Sequence, residues 1–403
     1  MLDVSIPLMG NLSRARNFFL HSLLIAVIVL LTACGGTSET TFDDQGVNRT
    51  AFDWQLPASV PLPFEPENNP MTEAKFQLGR HLFFDRRLSG NGEQSCADCH
   101  QQNIGFTDGL VVSVGSTGDL HPRNAQPLLN VAYNATLTWA NPSLVTLEQQ
   151  ILVPLFGEFP VEQGINDGNR EEVLDRLRDE PRYQTLFAEA YPELGDPIDY
   201  ENIVKAIASF VRGMVSFNSD FDRYERGQSS ALSASAQQGR KLFFGEELEC
   251  FHCHGGYNLS DSTFDRTMTF IERPFHNTGL FNINGTGDFP SNNQGVFEIT
   301  EDPADMGKFR APSLRNIALT APYMHDGSLV SLEEVIDFYA AGGRNIESGP
   351  HAGDGRLNPF KDGFVTGFDI TEQEKADLIA FLNSLTDETF LTNERFSDPW
   401  STL

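Results

Sequence analysis

The sequence predicts a mostly α-helical fold made of two related lobes, with long loops and little sheet. One helical ending occurs twice, as GRHLFF at 79–84 and as GRKLFF at 239–244, and each copy leads through a short loop into a C-x-x-C-H string. Duplication of a single helical unit explains the repeat. The stretches 101–145 and 255–325 are rich in Gly, Pro and Asn, which indicates loops.

The helices follow from apolar residues spaced three and four positions apart. Helices that start at Met71 and at Ala234 carry the two repeated endings, and the turn-rich segment 227–235 separates lobes at 71–230 and 231–403. Further helices are predicted at 171–180, 182–190, 201–217, 331–341 and 371–385. Two of these begin with the spacing of a capping box, Ser331 with Glu334 and Thr371 with Glu374.

The two C-x-x-C-H strings, CADCH at 96–100 and CFHCH at 250–254, are the attachment signature of c-type haem. Two thiols at this spacing can add to the two vinyl groups of one porphyrin, and the adjacent His then ligates the iron. The sequence therefore predicts two covalent haems, one held by Cys96, Cys99 and His100 and the other by Cys250, Cys253 and His254. A redox or zinc C-x-x-C is the alternative for a single copy, but no further Cys pair completes a zinc site.

The N-terminus carries an export signal. A basic pair precedes an apolar stretch at 23–31 that is too short to span a bilayer, as in a signal peptide covering 1–33. LTAC at 31–34 resembles the bacterial lipobox, which implies acylation of Cys34 and a periplasmic protein anchored to the outer membrane by lipid alone. An ordinary secretory signal with an incidental Cys is the alternative. The polar, Pro-rich segment 34–70 is predicted to be a tether.

The chain is strongly acidic. Its 28 basic and 56 acidic residues give a net charge of −28 in 403 residues. Nucleic acid is therefore excluded as an expected partner, because it would be repelled. A basic or neutral protein partner docks more easily than an acidic one.

Beyond the haem strings, the chain resembles the bacterial di-haem cytochrome c peroxidase and MauG superfamily over about residues 71–385. The segments that carry the resemblance are LGRHLFFDRRLSGNGEQSCADCH (78–100), HPRN (121–124), NVAY (130–133), FRAPSLRNIALTAPYMHDGS (309–328) and LIAFLNSLT (378–386). FHNTGLFN (275–282), PHAGDGR (350–356) and TWANP (138–142) are similar to the MauG-like subgroup found with methanobactin genes, the MbnH-type enzymes. The resemblance implies two cytochrome c-like lobes whose haems face each other.

The resemblance also implies unequal iron ligation. Ser116 stands where ordinary family peroxidases carry a distal His, which implies an open first haem; His121 is an alternative distal ligand. At the second haem, Tyr339 matches the distal position, where MauG-like enzymes use Tyr and ordinary peroxidases use Met. A phenolate oxygen favours high-valent iron. Spacing alone favours a core position for Tyr339, because it continues an i, i+3, i+4, i+7 apolar stripe from Leu332. Rival ligands are Met71, Met214, Met268, Met306 and above all Met324.

Peroxide cleavage needs a group that moves a proton between the two oxygens. By resemblance this is Glu162, in Glu-Gln-Gly where the family has Glu-Met-Gly, with Glu158 as the alternative. Gln150 matches the family's distal amide. Gln163 departs from the usual Met, which leaves the shape of the pocket open.

Two further features rest on the resemblance alone. Trp139 matches a tryptophan that lies between the haems and relays electrons. Asn124, through its side chain, and Thr320 and Pro322, through their carbonyls, match the ligands of one calcium ion. Oxygen ligands of this kind suit Ca²⁺.

The resemblance thus implies an exported peroxidase that reduces hydrogen peroxide, forms high-valent iron and oxidises an aromatic residue, Trp, of a partner protein. A peroxide-detoxifying enzyme supplied by a small cytochrome or copper protein is the alternative. A plain di-haem electron carrier is a third reading, against which Ser116 argues because it leaves one site open.

Overall fold

The structure is a computed structural model that describes residues 40–42, 48–50 and 52–401. The signal peptide and Cys34 lie outside the described residues, as does about a third of the tether. The described part is dominated by helices, and its strands form two short antiparallel pairs, β1 (Thr40–Phe42) with β2 (Asn48–Thr50) and β3 (Asn345–Ile346) with β4 (Gly353–Asp354). The prediction of a mostly helical fold with little sheet is confirmed. No helix among the described residues is long and apolar enough to cross a membrane.

Thirteen α-helices are present in the described part of the chain. They are α1 (Glu73–Phe83), α2 (Cys96–Cys99), α3 (Leu147–Phe156), α4 (Arg170–Arg178), α5 (Pro181–Ala190), α6 (Tyr200–Arg212), α7 (Asp220–Glu225), α8 (Ala234–Phe243), α9 (Cys250–Cys253), α10 (Phe297–Thr300), α11 (Leu332–Ala340), α12 (Glu372–Asn383) and α13 (Glu388–Leu391). Single 3₁₀ turns occur at Arg86–Leu88, Gln102–Ile104, Val131–Tyr133, Pro303–Asp305, Ile317–Leu319, Gly355–Leu357 and Glu394–Phe396.

The clearest differences from the sequence prediction are one helix end and one capping box. Helix α6 stops at Arg212 rather than at 217, because Gly213 caps it and the chain then turns to meet Asn130, which accepts from Ser216 N through its side chain. Thr371 and Glu374 form the complete capping box at α12. At α11 the box is only half formed, because the carboxylate of Glu334 accepts from Val330 N.

Two buried cores underlie the repeat. The first is built mainly from α1 and α3–α6, and the second from α8, α11 and α12. In each core the Gly of the repeated motif lets two helices touch: a Cβ on Gly79 would lie 1.9 Å from the Ala206 carbonyl oxygen, and one on Gly239 1.9 Å from that of Asp377. The cores do not follow chain order strictly, since Phe390 and Phe396 join the first and Ala140 joins the second. The lobe limits at 71–230 and 231–403 stay predictions.

Candidate functional site

The first C-x-x-C-H string forms the short helix α2 at the wall of a cavity. Ser95 begins this helix in a capping box with Asp98, whose carboxylate also pairs with Arg86 at 2.6 Å. Cys99 and His100 line the cavity, which has about 1590 Å³ of empty space, part of it open to solvent. Cys96 and Cys99 form no disulfide, and burial raises the pKa of the Cys96 thiol to about 12.

The orientation of the His100 ring is fixed by a hydrogen bond of its Nδ1 atom. Nδ1 lies 2.8 Å from the main-chain oxygen of Phe106, so it donates and leaves Nε2 as the free ligand atom. Burial lowers the pKa of His100 and so favours the neutral imidazole that binds metals. His254 has the same arrangement in the second string, with Nδ1 3.1 Å from the Pro312 oxygen.

The polar groups of the first cavity include two of the predicted catalytic residues. Glu162 lines the cavity with its side chain one-third exposed, and its carboxylate lies 3.4 Å from His121 Nε2. Gln150 lies on the same wall, and its buried Oε1 has no hydrogen-bond partner. Glu158 is exposed and does not line this cavity. The geometry therefore favours Glu162 over Glu158 as the acid–base group, a role that stays a prediction.

Ser116, which stands where ordinary family peroxidases carry a distal His, lies where two loops contact each other. Ser116 N donates to the main-chain oxygen of Glu162 at 2.8 Å, and a Cβ on Gly115 would lie 1.7 Å from the Val161 oxygen, so the two loops are in direct contact. Ser116 is not among the residues that line the cavity, whereas His121 is. Five-coordinate iron stays a prediction, and His121 remains the alternative ligand.

The second C-x-x-C-H string lies at a second cavity of about 1550 Å³, also partly open to solvent. Cys250, Cys253 and His254 line it together with Tyr339. Tyr339 thus shares this cavity with both thiols, and its burial, together with the nearby thiols, raises its pKa.

Only one of the five rival methionines reaches this cavity. Met324 lines it beside Tyr339, so ligation by sulfur stays open. Met71 and Met214 are buried in the first core, Met306 is buried in the second, and Met268 is partly exposed.

Two histidines of the second cavity have no role in the sequence prediction. His325 is buried, its ring stacks 3.6 Å from that of Phe309, and its Nε2 has no hydrogen-bond partner. His276 lies between two carboxylates, 2.7 Å from Asp261 and 2.6 Å from Asp362. In the sequence His276 is marked only by its place in the FHNTGLFN motif at 275–282. No regular spacing links it to either aspartate.

The residues present fit two covalent haems. The first cavity is lined by Cys99 and the second by Cys250 and Cys253, and each is lined by a His whose Nδ1 is already hydrogen-bonded. Each also contains a buried polar atom without a protein partner, Gln150 Oε1 in the first and His325 Nε2 in the second. Buried polar groups left unpaired in this way indicate a missing ligand or water.

Trp139 connects the two cavities. It is one of the few residues that line both, and its indole Nε1 donates to the main-chain oxygen of Asn124 at 2.8 Å. Asn124 also lines both cavities, and Thr320 and Pro322 line the second. The Asn124 Nδ2 donates to Leu110 at 2.7 Å, which leaves Oδ1 as the ligand atom that the predicted calcium site requires. Calcium itself stays a prediction.

The fold and the two cavities define a di-haem c-type oxidoreductase. The family model of the di-haem cytochrome c peroxidases matches residues 73–230. MauG of Methylorubrum extorquens, named a methylamine utilization protein, is 34% identical over 357 residues, which cover 88% of this chain and 90% of MauG. The cytochrome-c peroxidase IdrP1 of Denitromonas iodatirespirans is 36% identical over 351 residues, 83% of this chain and 88% of IdrP1. The chain belongs to the di-haem cytochrome c peroxidase and MauG family.

A solved structure described as a MauG-like protein associated with microbial copper homeostasis superposes with a TM-score of 0.85. It is 55% identical and is matched over 87% of this chain and 100% of its own. The di-haem peroxidase BthA of Burkholderia thailandensis superposes with a TM-score of 0.60 at 21% identity, which supports the fold. The predicted family, its MauG-like character, the class of enzyme and the two c-type haems are thus confirmed.

Proposed function

We propose that this chain is an exported peroxidase that uses hydrogen peroxide to oxidise a tryptophan of a partner protein. The observation that carries the proposal is the position of Trp139, which lines both the cavity of Glu162 and the cavity of Tyr339. When bound, the haems supply the two iron centres at which peroxide is reduced and oxidising equivalents are held.

In the first cavity the side chains of the protein transfer a proton. With the haem bound, the Glu162 carboxylate would take a proton from one oxygen of hydrogen peroxide and return it to the other oxygen, which leaves as water. Gln150 has its amide oxygen unpaired in the same wall, so it can accept a hydrogen bond from bound peroxide. His121, 3.4 Å from Glu162, can stabilise the carboxylate when protonated.

Between the cavities the chain moves an electron. The Trp139 indole is held by hydrogen bonds at both its side chain and its main chain, since its oxygen accepts from Arg310 N at 2.8 Å. A fixed indole in contact with both cavities is suited to relay electrons from the second site to the first. Tyr339 then provides an oxygen ligand at the second site. The partner can be oxidised at the protein surface, so its side chain need not enter either cavity.

The proposal includes the cellular location of the enzyme and its calcium ion. Cleavage at the lipobox before Cys34 would place it in the periplasm, held to the outer membrane by acyl chains. One calcium ion would be held by Asn124, Thr320 and Pro322. The MauG relative and the 55% identical MauG-like structure support the action on a partner protein.

A second function is favoured by one observation. Met324 lines the second cavity, and sulfur ligation there is typical of a peroxidase that takes electrons from a small cytochrome or copper protein. Relatives at 31–36% identity carry the name cytochrome peroxidase.

The experiment that separates the two functions adds peroxide to the holoenzyme with a co-encoded exported protein. Mass spectrometry should find oxygen added to a partner Trp, and Trp139→Phe should suppress it. Trp400→Phe is the matched control, because Trp400 lines neither cavity. An unmodified partner together with fast oxidation of a reduced cytochrome would replace the proposal with the detoxifying function.

A further inference from the structure

A cluster of two carboxylates and one imidazole lies beside the second haem attachment site. Glu246, Glu249 and His252 bring one ligand atom each to within 4.8 Å of one another. His252 Nε2 is 2.6 Å from Glu249 and 4.0 Å from Glu246. Two ligands bound at about 2.1 Å to one tetrahedral ion are themselves about 3.4 Å apart. The contacts of 2.6 Å and 4.0 Å lie on either side of that distance, so side-chain rotation could bring all three atoms onto one ion.

The carboxylate of Glu249 is in ion-pair contact with His252 but makes no hydrogen bond to it. Its Oε2 is buried, and although it lies close to Nε2 it is outside hydrogen-bonding geometry with that or any other described group. Glu249 also begins helix α9 without capping it, and its φ of 58° is in the left-handed region. A residue that forgoes its cap and adopts this backbone is held there at a cost, which is typical of functional positions.

The imidazole is held in place by aromatic rings. The ring of His252 stacks on Phe364 at 4.0 Å and 12° and lies 4.1 Å from that of Phe251. Phe364 covers one face of the ring, and Nε2 at its edge faces the two carboxylates. A ligand group fixed in this way loses little freedom when it binds an ion.

The other half of the internal repeat lacks the cluster. Asp98 takes the place of His252 in the first string, and Ser95 takes that of Glu249; these two form an ordinary capping box. Covalent haem attachment therefore does not require the arrangement of Glu246, Glu249 and His252. The cluster must therefore have a role that is specific to the second haem site.

We propose that Glu246, Glu249 and His252 form a binding site for a divalent transition-metal ion, with water completing the coordination. One imidazole and two carboxylates suit Zn²⁺ or Cu²⁺. Phe364, which covers the imidazole, also lines the second cavity, so the bound charge lies at the edge of that cavity. A nearby cation opposes loss of an electron from the second haem and raises its reduction potential.

The test uses the holoenzyme with both haems attached. Calorimetric titration with Zn²⁺ should show one site whose affinity falls at least about tenfold in the double variant Glu246→Gln, Glu249→Gln. Glu247→Gln is the matched control, because Glu247 is an exposed neighbour outside the cluster. Zn²⁺ should also shift the potential of the second haem upward in the parent and the control, but not in the double variant.

His252→Ala gives an independent check, with haem content measured first because His252 lies between Cys250 and Cys253. With Cu²⁺ as probe, the electron paramagnetic resonance spectrum of the parent should show nitrogen coupling that His252→Ala removes. Equal affinity in all variants, or a potential that does not respond to Zn²⁺, would overturn the proposal. Neither result depends on partner oxidation, so both leave the proposed function untouched.

Discussion

The indole Nε1 of Trp139 donates a 2.8 Å hydrogen bond to the main-chain oxygen of Asn124, and both residues line both haem cavities. Asn124 N in turn donates to the main-chain oxygen of His325 at 2.9 Å. One run of hydrogen bonds therefore connects Trp139, which is the proposed electron relay, with the predicted calcium ligand and the wall of the second cavity. A displacement of any one of these groups should therefore shift the positions of the other two.

Substitution of Trp139 should separate the reactions of the two cavities. In Trp139→Phe the aromatic ring remains, but the hydrogen bond to Asn124 and the easily oxidised indole are lost. We expect peroxide to react at the first site at nearly the parent rate, while the second site is oxidised much more slowly. Stopped-flow spectra of the two haems measure both steps, and loss of the first step alone would contradict the relay role.

Glu162 and Glu158 offer a direct comparison of two nearby carboxylates. Glu162→Gln should slow peroxide cleavage by roughly 10²- to 10⁴-fold, the usual loss when a proton-transfer group is removed. Glu158→Gln should react like the parent, because Glu158 is exposed and outside the cavity. The rate of the reaction with peroxide, measured by stopped flow, distinguishes the two carboxylates. A slow Glu158 variant together with a normal Glu162 variant would reverse the assignment.

The ligand of the second haem can be identified with three substitutions in one cavity. Tyr339→Phe removes the phenol oxygen and should change the absorption and electron paramagnetic resonance spectra of that haem. Tyr323→Phe is the matched control, since Tyr323 lines the same cavity but its hydroxyl donates to Ile317 at 3.1 Å. Met324→Leu should leave the spectra unchanged. A spectral change in the Met324 variant alone would show that sulfur is the ligand.

The features of this molecule that depend on neighbouring residues in the chain can be predicted from the sequence. C-x-x-C-H is a local pattern, and so are the apolar periodicity of α1 and α8 and the capping box at Thr371. The resemblance to the family supplied Trp139 and Glu162, which no spacing would have singled out.

The remaining features depend on contacts between distant segments. His276 meets Asp261 and Asp362 from positions 15 and 86 residues away, and Phe364 covers His252 across more than a hundred residues. No periodicity in the sequence marks such pairs. The end of α6 was missed for a similar reason, because residues beyond Gly213 are drawn away by hydrogen bonds to Asn130.

The repeated glycines should be equally intolerant of a methyl group in both cores. Gly79→Ala and Gly239→Ala each place a Cβ 1.9 Å from a carbonyl oxygen of the facing helix. Forcing the helices apart should lower the free energy of unfolding by about 1–3 kcal/mol or more. Gly195→Ala is the control, since that exposed position has open space around it and should change stability by less than about 0.5 kcal/mol. Denaturant titration measures all three, and a neutral Gly239 variant would refute the close packing of α8 on α12.

His276 should make stability depend on pH in a direction that its surroundings determine. Burial alone would lower its pKa, but hydrogen bonds to Asp261 and Asp362, with a further one to Cys253, raise it from 6.5 to about 12. A raised pKa means that the stabilisation is complete below pH 6.5, where the unfolded chain is also protonated. It is lost as pH rises toward 12, by at most about 1.4 kcal/mol per pH unit.

His276→Gln keeps a hydrogen-bond donor but carries no charge, so the stability difference from the parent should be largest near pH 6 and should shrink steadily up to pH 10. Denaturant unfolding of the holoenzyme at several pH values measures it, with His351→Gln as an exposed control. Once Cys253 is a thioether it no longer contributes a thiol, and the two carboxylates alone must hold the proton. If the curves for parent and variant run parallel over this range, the imidazole between Asp261 and Asp362 is neutral and the cluster carries two negative charges, rather than one, beside the second haem.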